Sequence, residues 1–141
     1  MTLNAFAAGT PGAPIAGLEY RPGVCNIGPE EIAARRRGGH IALIATVVLL
    51  VFLVAIGAPP LTRLLIAIPA VGAASGYLQA RLRFCAGFGS RGVFNFGPVG
   101  PRHEVADADA RARDRARARQ IGLAGLAIGV VVAVVAVLPP L

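Results

Sequence analysis

Ile41–Ala58 reads IALIATVVLLVFLVAIGA, 18 residues without a charge. As a helix this run is about 27 Å long, close to the roughly 30 Å hydrocarbon core of a bilayer. A helix on the surface of a soluble protein keeps a polar stripe, and this run has none. Ile121–Leu138, IGLAGLAIGVVVAVVAVL, repeats the pattern over another 18 residues. Its valines favour strands in water, but inside lipid a helix satisfies its own backbone and a lone strand does not. Both runs are expected to span a membrane.

Leu64–Leu78 is a weaker third run, 15 uncharged residues interrupted by Pro69. Membrane helices tolerate an internal proline, though it removes one backbone bond. Only Pro59-Pro60-Leu61-Thr62-Arg63 links it to the first run, so the two are expected to form an antiparallel hairpin, the return helix reaching about Ala80. A re-entrant segment is the alternative.

Composition agrees. Of 141 residues, 55% are hydrophobic and 15% charged, where a soluble domain averages about 25% charged. This excludes an ordinary cytosolic enzyme and equally a disordered tail. The net charge is +7, and all 14 basic residues are arginine. Arg63 alone lies between the first two runs; the other 13 precede the first or separate the second from the third. Positive residues stay on the cytoplasmic side. The N-terminus is therefore expected inside and Pro139-Pro140-Leu141 outside, with a bacterial inner (plasma) membrane as the setting. Met1–Val24 has neither the basic start nor the apolar core of a signal peptide.

Between the spans the sequence is unusual. Gly28–Gly39, GPEEIAARRRGG, is written as a short helix: proline in the first turn, two acids at its positive end, three arginines at its negative end, and a Gly-Gly stop. Arg35, Arg36 and Arg37 would also sit among anionic headgroups. Arg81–Pro101, RLRFCAGFGSRGVFNFGPVGP, holds Phe84, Phe88, Phe94 and Phe96 among glycines. A helix end near Phe84 and then an irregular interfacial loop are expected, with Val93–Phe96 as a short extended stretch. The four rings are either pins into the membrane or a docking surface for a partner. His103–Gln120 alternates Ala with Arg or Asp. As a helix from about Glu104 it would pair Asp107 with Arg111, Asp109 with Arg113 and Asp114 with Arg117. Arg111, Arg115 and Arg119 form a basic stripe suited to anionic lipid or an acidic partner. Binding of nucleic acid is not expected, because a span follows at once and no stacking aromatics are interleaved.

Candidate chemistry is thin. Cys25, Cys85, His40 and His103 could ligate zinc by type, but no two share the close spacing of a zinc or redox motif. They are weak candidates, and no metal or other cofactor is expected. The Cys25 and Cys85 segments are alike in setting and could pack together beneath the hairpin, with unlinked thiols, a metal or a disulfide left open as the state of the pair, though a cytoplasmic location disfavours the disulfide. No nucleophile-with-base pairing is visible. The spans lack the ionisable groups that transport pathways carry, so no small-molecule substrate is expected. What the spans do carry is small residues four apart: Gly72 and Gly76, then Gly125, Gly129 and Ala133, which let helix backbones approach closely, within the chain or against a partner.

The expected fold is all-α, an integral membrane protein with three transmembrane helices. Its segments are a flexible tail over 1–19, a cytoplasmic segment with a short helix over 20–40, a transmembrane hairpin over 41–80, a Gly/Phe-rich interfacial loop over 81–103, and a basic helix continuing into the third span over 104–141. The expected function is that of a small non-catalytic accessory or scaffolding subunit of a bacterial inner-membrane complex. Its partners would be other membrane subunits and anionic lipids. The alternatives are a membrane-surface binding module built on the Arg-rich helix, and a membrane-bound metal or thiol protein using Cys25 and Cys85.

Overall fold

The structure, a computed structural model, describes residues 19–140. The tail expected over 1–19 thus lies outside the described residues except for Glu19. Helix α1 runs over Pro29–Ala55. A 3-10 turn, Pro60–Ile66, leads directly into α2, Ala67–Leu82. Short α3 (Ala86–Arg91), strands β1 (Val93–Phe94) and β2 (His103–Glu104), and long α4 (Ala108–Val137) follow. The chain is mostly helical, and three helical stretches of 27, 23 and 30 residues are long and apolar enough to cross a membrane. The all-α expectation is amended by one small antiparallel pair, Val93 opposite Glu104 and Phe94 opposite His103.

The start of α1 is as its sequence dictates, with Pro29 in the first turn and Glu30 and Glu31 facing the helix dipole. The expected stop at Gly38-Gly39 does not occur, and the helix continues into the apolar run. The reason lies on α2. A Cβ on Gly76 would fall 2.8 Å from Gly39 Cα, and one on Gly39 would fall 3.2 Å from the Tyr77 ring. The glycine is a crossing point between helices, which outweighs its cost within a helix. Helix α1 ends instead at Ala55, closed off by Gly57, whose φ of +66° lets Ala58 N–H reach back to Leu53 O at 3.0 Å.

The return helix starts earlier than hydropathy indicates because the 3-10 turn takes up Pro60–Ile66. That places Pro69 in the first turn of α2, where its missing N–H has no intrahelical partner to lose. The helix ends at Arg83 in the left-handed conformation, φ 54°, rather than running to Phe84.

Helix α2 is the middle of the molecule. Gly72 and Gly76 face α1 at Ala42 and Gly39, while Val71 and Ser75 face Gly129 and Gly125 of α4. Helices α1 and α4 scarcely touch each other. They come together around Ile66 of the 3-10 turn, which packs with Leu53 and Ala133.

Helix α4 begins at Ala108, not near Glu104, because His103 and Glu104 are drawn into the strand pair. Asp107 caps it, its carboxylate accepting from Ala110 N at 2.8 Å. One narrow stripe is buried along its whole length: Ala110, Asp114, Ala118, Ile121, Gly125, Gly129 and Ala133. The expected Asp–Arg pairs give way to other bonds. Asp107 is the cap, Arg111 donates to Val105 O and Ala106 O at 2.7 and 3.0 Å, and Asp114 is buried against the N-terminal segment. Among the described residues nothing links Asp109 to Arg113.

Candidate functional site: a buried polar cap at the arginine-rich end

Residues 20–28, the first turns of α1, α3, the strand pair and the start of α4 assemble into a cap at one end of the spans. Its polar side chains are spent on one another. Asn26 is fully buried: its amide donates to Cys85 O at 3.0 Å and accepts from Cys85 N at 2.7 Å. Its backbone joins Asn95, whose N–H donates to Asn26 O at 3.0 Å, and Gly28 N–H donates to Asn95 O at 2.9 Å. The Cys25 and Cys85 segments therefore do meet, through the asparagine between Cys25 and Ile27. The Asn95 side chain donates to Glu31 Oε1 at 3.1 Å and to Pro98 O at 2.8 Å.

Glu31 is 2% exposed and is neutralised by Arg35 one turn on, Nη2 to Oε2 at 3.3 Å. The same guanidinium donates to Cys85 Sγ at 3.2 Å and lies over the Phe88 ring, as does Arg102. A buried carboxylate needs such a partner, since unpaired it would cost several kcal/mol. Asp114 is the second buried charge. It accepts from Tyr20 Oη at 2.8 Å and Gly23 N at 2.7 Å, strapping the N-terminal segment across α4. Burial first, then the bond to the Asp114 carboxylate, pushes the Tyr20 hydroxyl well above its usual range.

The phenylalanines belong to this cap. Phe84, Phe88 and Phe96 are buried, and Phe94 is half-buried, stacked on Tyr20 with ring centroids 4.8 Å apart. The chain itself supplies the cover expected from membrane or partner. Gly89 shows why glycines accompany the rings: a Cβ there would lie 2.6 Å from the Phe84 ring and 2.9 Å from Asp114 O.

The four metal candidates do not converge. Cys25 is buried and its thiol, pushed up by burial, points to Ile27 O at 3.7 Å. Cys85 holds Arg35. His103 lies beside Phe94, and His40 is away on the hairpin, its Nδ1 2.6 Å from Tyr77 Oη. Among the described residues no three His, Cys, Asp or Glu side chains gather, and both cysteines are free thiols.

The arginine stripes are divided. Arg35 and Arg111 turn inward to the contacts above, while Arg36 and Arg37 are exposed. Arg115 and Arg119 face outward and, with Ser90 of α3, line an open depression of about 310 Å³. At the far end, Arg63 is not a free external charge. It is 2% exposed and donates to Ala136 O and Pro139 O at 3.2 and 2.9 Å, satisfying one open C-terminal carbonyl of α4 and one just past its end.

Sequence reasoning overlooked Asn26, Glu31, Asn95 and Asp114 as cap residues. Two carry a signal in hindsight: Cys25-Asn26-Ile27 and Phe94-Asn95-Phe96 set an asparagine between apolar neighbours, the context of a buried amide. Asp114 carries none, because its donors are 91 and 94 positions away. Comparison of the chain with protein-family models, curated proteins and solved structures finds no match.

Proposed function

We propose that this chain is a small, non-catalytic accessory or scaffolding subunit of a bacterial inner-membrane protein complex, with its N-terminus in the cytoplasm and its C-terminus outside. The observation that carries this reading is the open packing of the spans. Helices α1 and α4 each lie on α2 and scarcely on one another. Val47, Val48, Val51 and Phe52 of α1, and Val130, Val131, Val134 and Val135 of α4, are consequently exposed. Faces of this kind suit side-by-side packing with further spans. The cap supports the reading from the other side. Its buried polar groups are committed to one another, as expected of a rigid surface that holds a position rather than of a reacting centre. The arginine distribution supports the orientation.

The test is affinity purification of the tagged chain at native expression in mild detergent, followed by mass spectrometry and molar-mass determination. Other membrane subunits at fixed stoichiometry are expected. A chain that purifies alone and runs as a monomer refutes the reading.

A further inference from the structure

We propose that Ser90, Arg115 and Arg119 form a seat for the headgroup of an anionic phospholipid carrying free hydroxyls, that is, a phosphoglycerol-type lipid. Three observations converge on it. First, the two guanidinium groups line one depression with Ser90, and among the described residues neither has a hydrogen-bond or ion-pair partner. Planar guanidinium groups match phosphate oxygens, and two of them favour an anionic headgroup over a zwitterionic one.

Second, Ser90 sets the rest of the headgroup. Its hydroxyl proton is already donated to Ala86 O at 2.8 Å, a back-bond common for serine in helices. What it offers the depression is an acceptor. A headgroup hydroxyl satisfies that acceptor, whereas an ammonium would meet the field of the two arginines.

Third, the face continues as an apolar track. Arg119 precedes by two residues the apolar run that opens at Ile121, so its backbone sits about 3 Å along the helix from the start of that run. Beyond it on α4, the space beside Gly122 is open to 4 Å, and Leu123, Leu126 and Val130 are exposed. Residues 115, 119, 122 and 126 share one helix face, so a headgroup held by the arginines lays its acyl chains along the glycine and leucines. The occupant is therefore a bilayer lipid rather than free phosphate. The seat belongs to the chain alone and stands whether or not partner subunits are present.

The test is native mass spectrometry of the full chain in mild detergent with added phosphatidylglycerol, phosphatidic acid or phosphatidylethanolamine, and with glycerol phosphate as the free headgroup. The wild type is expected to retain phosphatidylglycerol over phosphatidylethanolamine. Arg115→Gln/Arg119→Gln should lose about tenfold in phosphatidylglycerol retention, as for removal of charge-assisted hydrogen bonds. Arg36→Gln/Arg37→Gln, which removes equal charge from exposed positions that also face headgroups, should lose less than about threefold, because those two charges share no depression with a hydroxyl. Ser90→Ala should weaken phosphatidylglycerol about threefold and leave phosphatidic acid unaffected, the loss of one neutral hydrogen bond. Equal loss in both arginine double variants, or no loss in the first, overturns the seat. Competition by glycerol phosphate as effective as by the lipid overturns the assignment to a bilayer lipid. A Ser90→Ala effect equal on both lipids overturns the hydroxyl preference.

Discussion

Asp114 accepts from the Tyr20 hydroxyl and the Gly23 N–H with no solvent around it, so the N-terminal strap depends on one carboxylate. Asp114→Ala should lower stability by about 2–4 kcal/mol, since it strands two donors that bonded a charged acceptor. Chymotrypsin should then cut after Tyr20 in otherwise folded protein, and the appearance of that fragment is the measurement. The strap also has a pH signature. The Tyr20 hydroxyl titrates above its usual 10.0 in the folded chain, so the folded state holds the proton that the unfolded state releases. Stability from this site is full below about pH 10 and falls as pH rises beyond it. Thermal melts between pH 8 and 11 should show that decline in the wild type and a flatter course in Tyr20→Phe. Both thiols are buried, and burial holds Cys25 in its protonated form. Maleimide should label neither until the protein is unfolded.

At the scale of elements, the two glycine seams differ from Gly38 and Gly122 by what surrounds them. A Cβ on Gly76 meets Gly39 backbone at 2.8 Å, and one on Gly129 meets Val71 N at 2.6 Å. Backbone cannot step aside as a flexible side chain does. Gly76→Ala and Gly129→Ala should each cost about 1–3 kcal/mol, the range for overpacking. Gly38→Ala and Gly122→Ala meet nothing within 4 Å and should be neutral or stabilising by up to about 1 kcal/mol through backbone entropy. Detergent melts of the four variants check the contrast. The same seams show what the sequence makes legible. Hydropathy suffices to find the three helices long and apolar enough to cross a membrane, because the requirement lipid sets is one each segment meets locally. Gly38-Gly39 misleads because the local text of a helix stop and of a helix crossing is identical; what decides is Gly76, on another helix. The candidate site fares worse for the same reason. The Phe/Gly loop is recognisable as special, yet whether its rings face outward or inward depends on Asn26, Glu31 and Asp114, whose partners are remote in sequence.

At the scale of the whole molecule, the two ends differ in kind. One holds the cap and 13 of the 14 arginines; the other holds a short turn and Arg63, engaged with the end of α4. If the arginine-rich end is cytoplasmic, alkaline phosphatase fused after Pro140 should be active and a green fluorescent protein fused there dark, with the reverse for fusions in the loop after Pro98. The opposite pattern reverses the orientation and leaves the packing of the three helices untouched.

The strap and the Arg63 contact share a timetable. Tyr20 waits for Asp114, 94 positions later, and Arg63 waits for carbonyls 73 and 76 positions later. A ribosome delivers the hairpin first, with a guanidinium at its tip and a loose leading segment at its base. Neither end is sealed until the last helix is made and packs, so that helix is the closing step of folding. Chains arrested before it present two unfinished ends to the quality-control machinery at once.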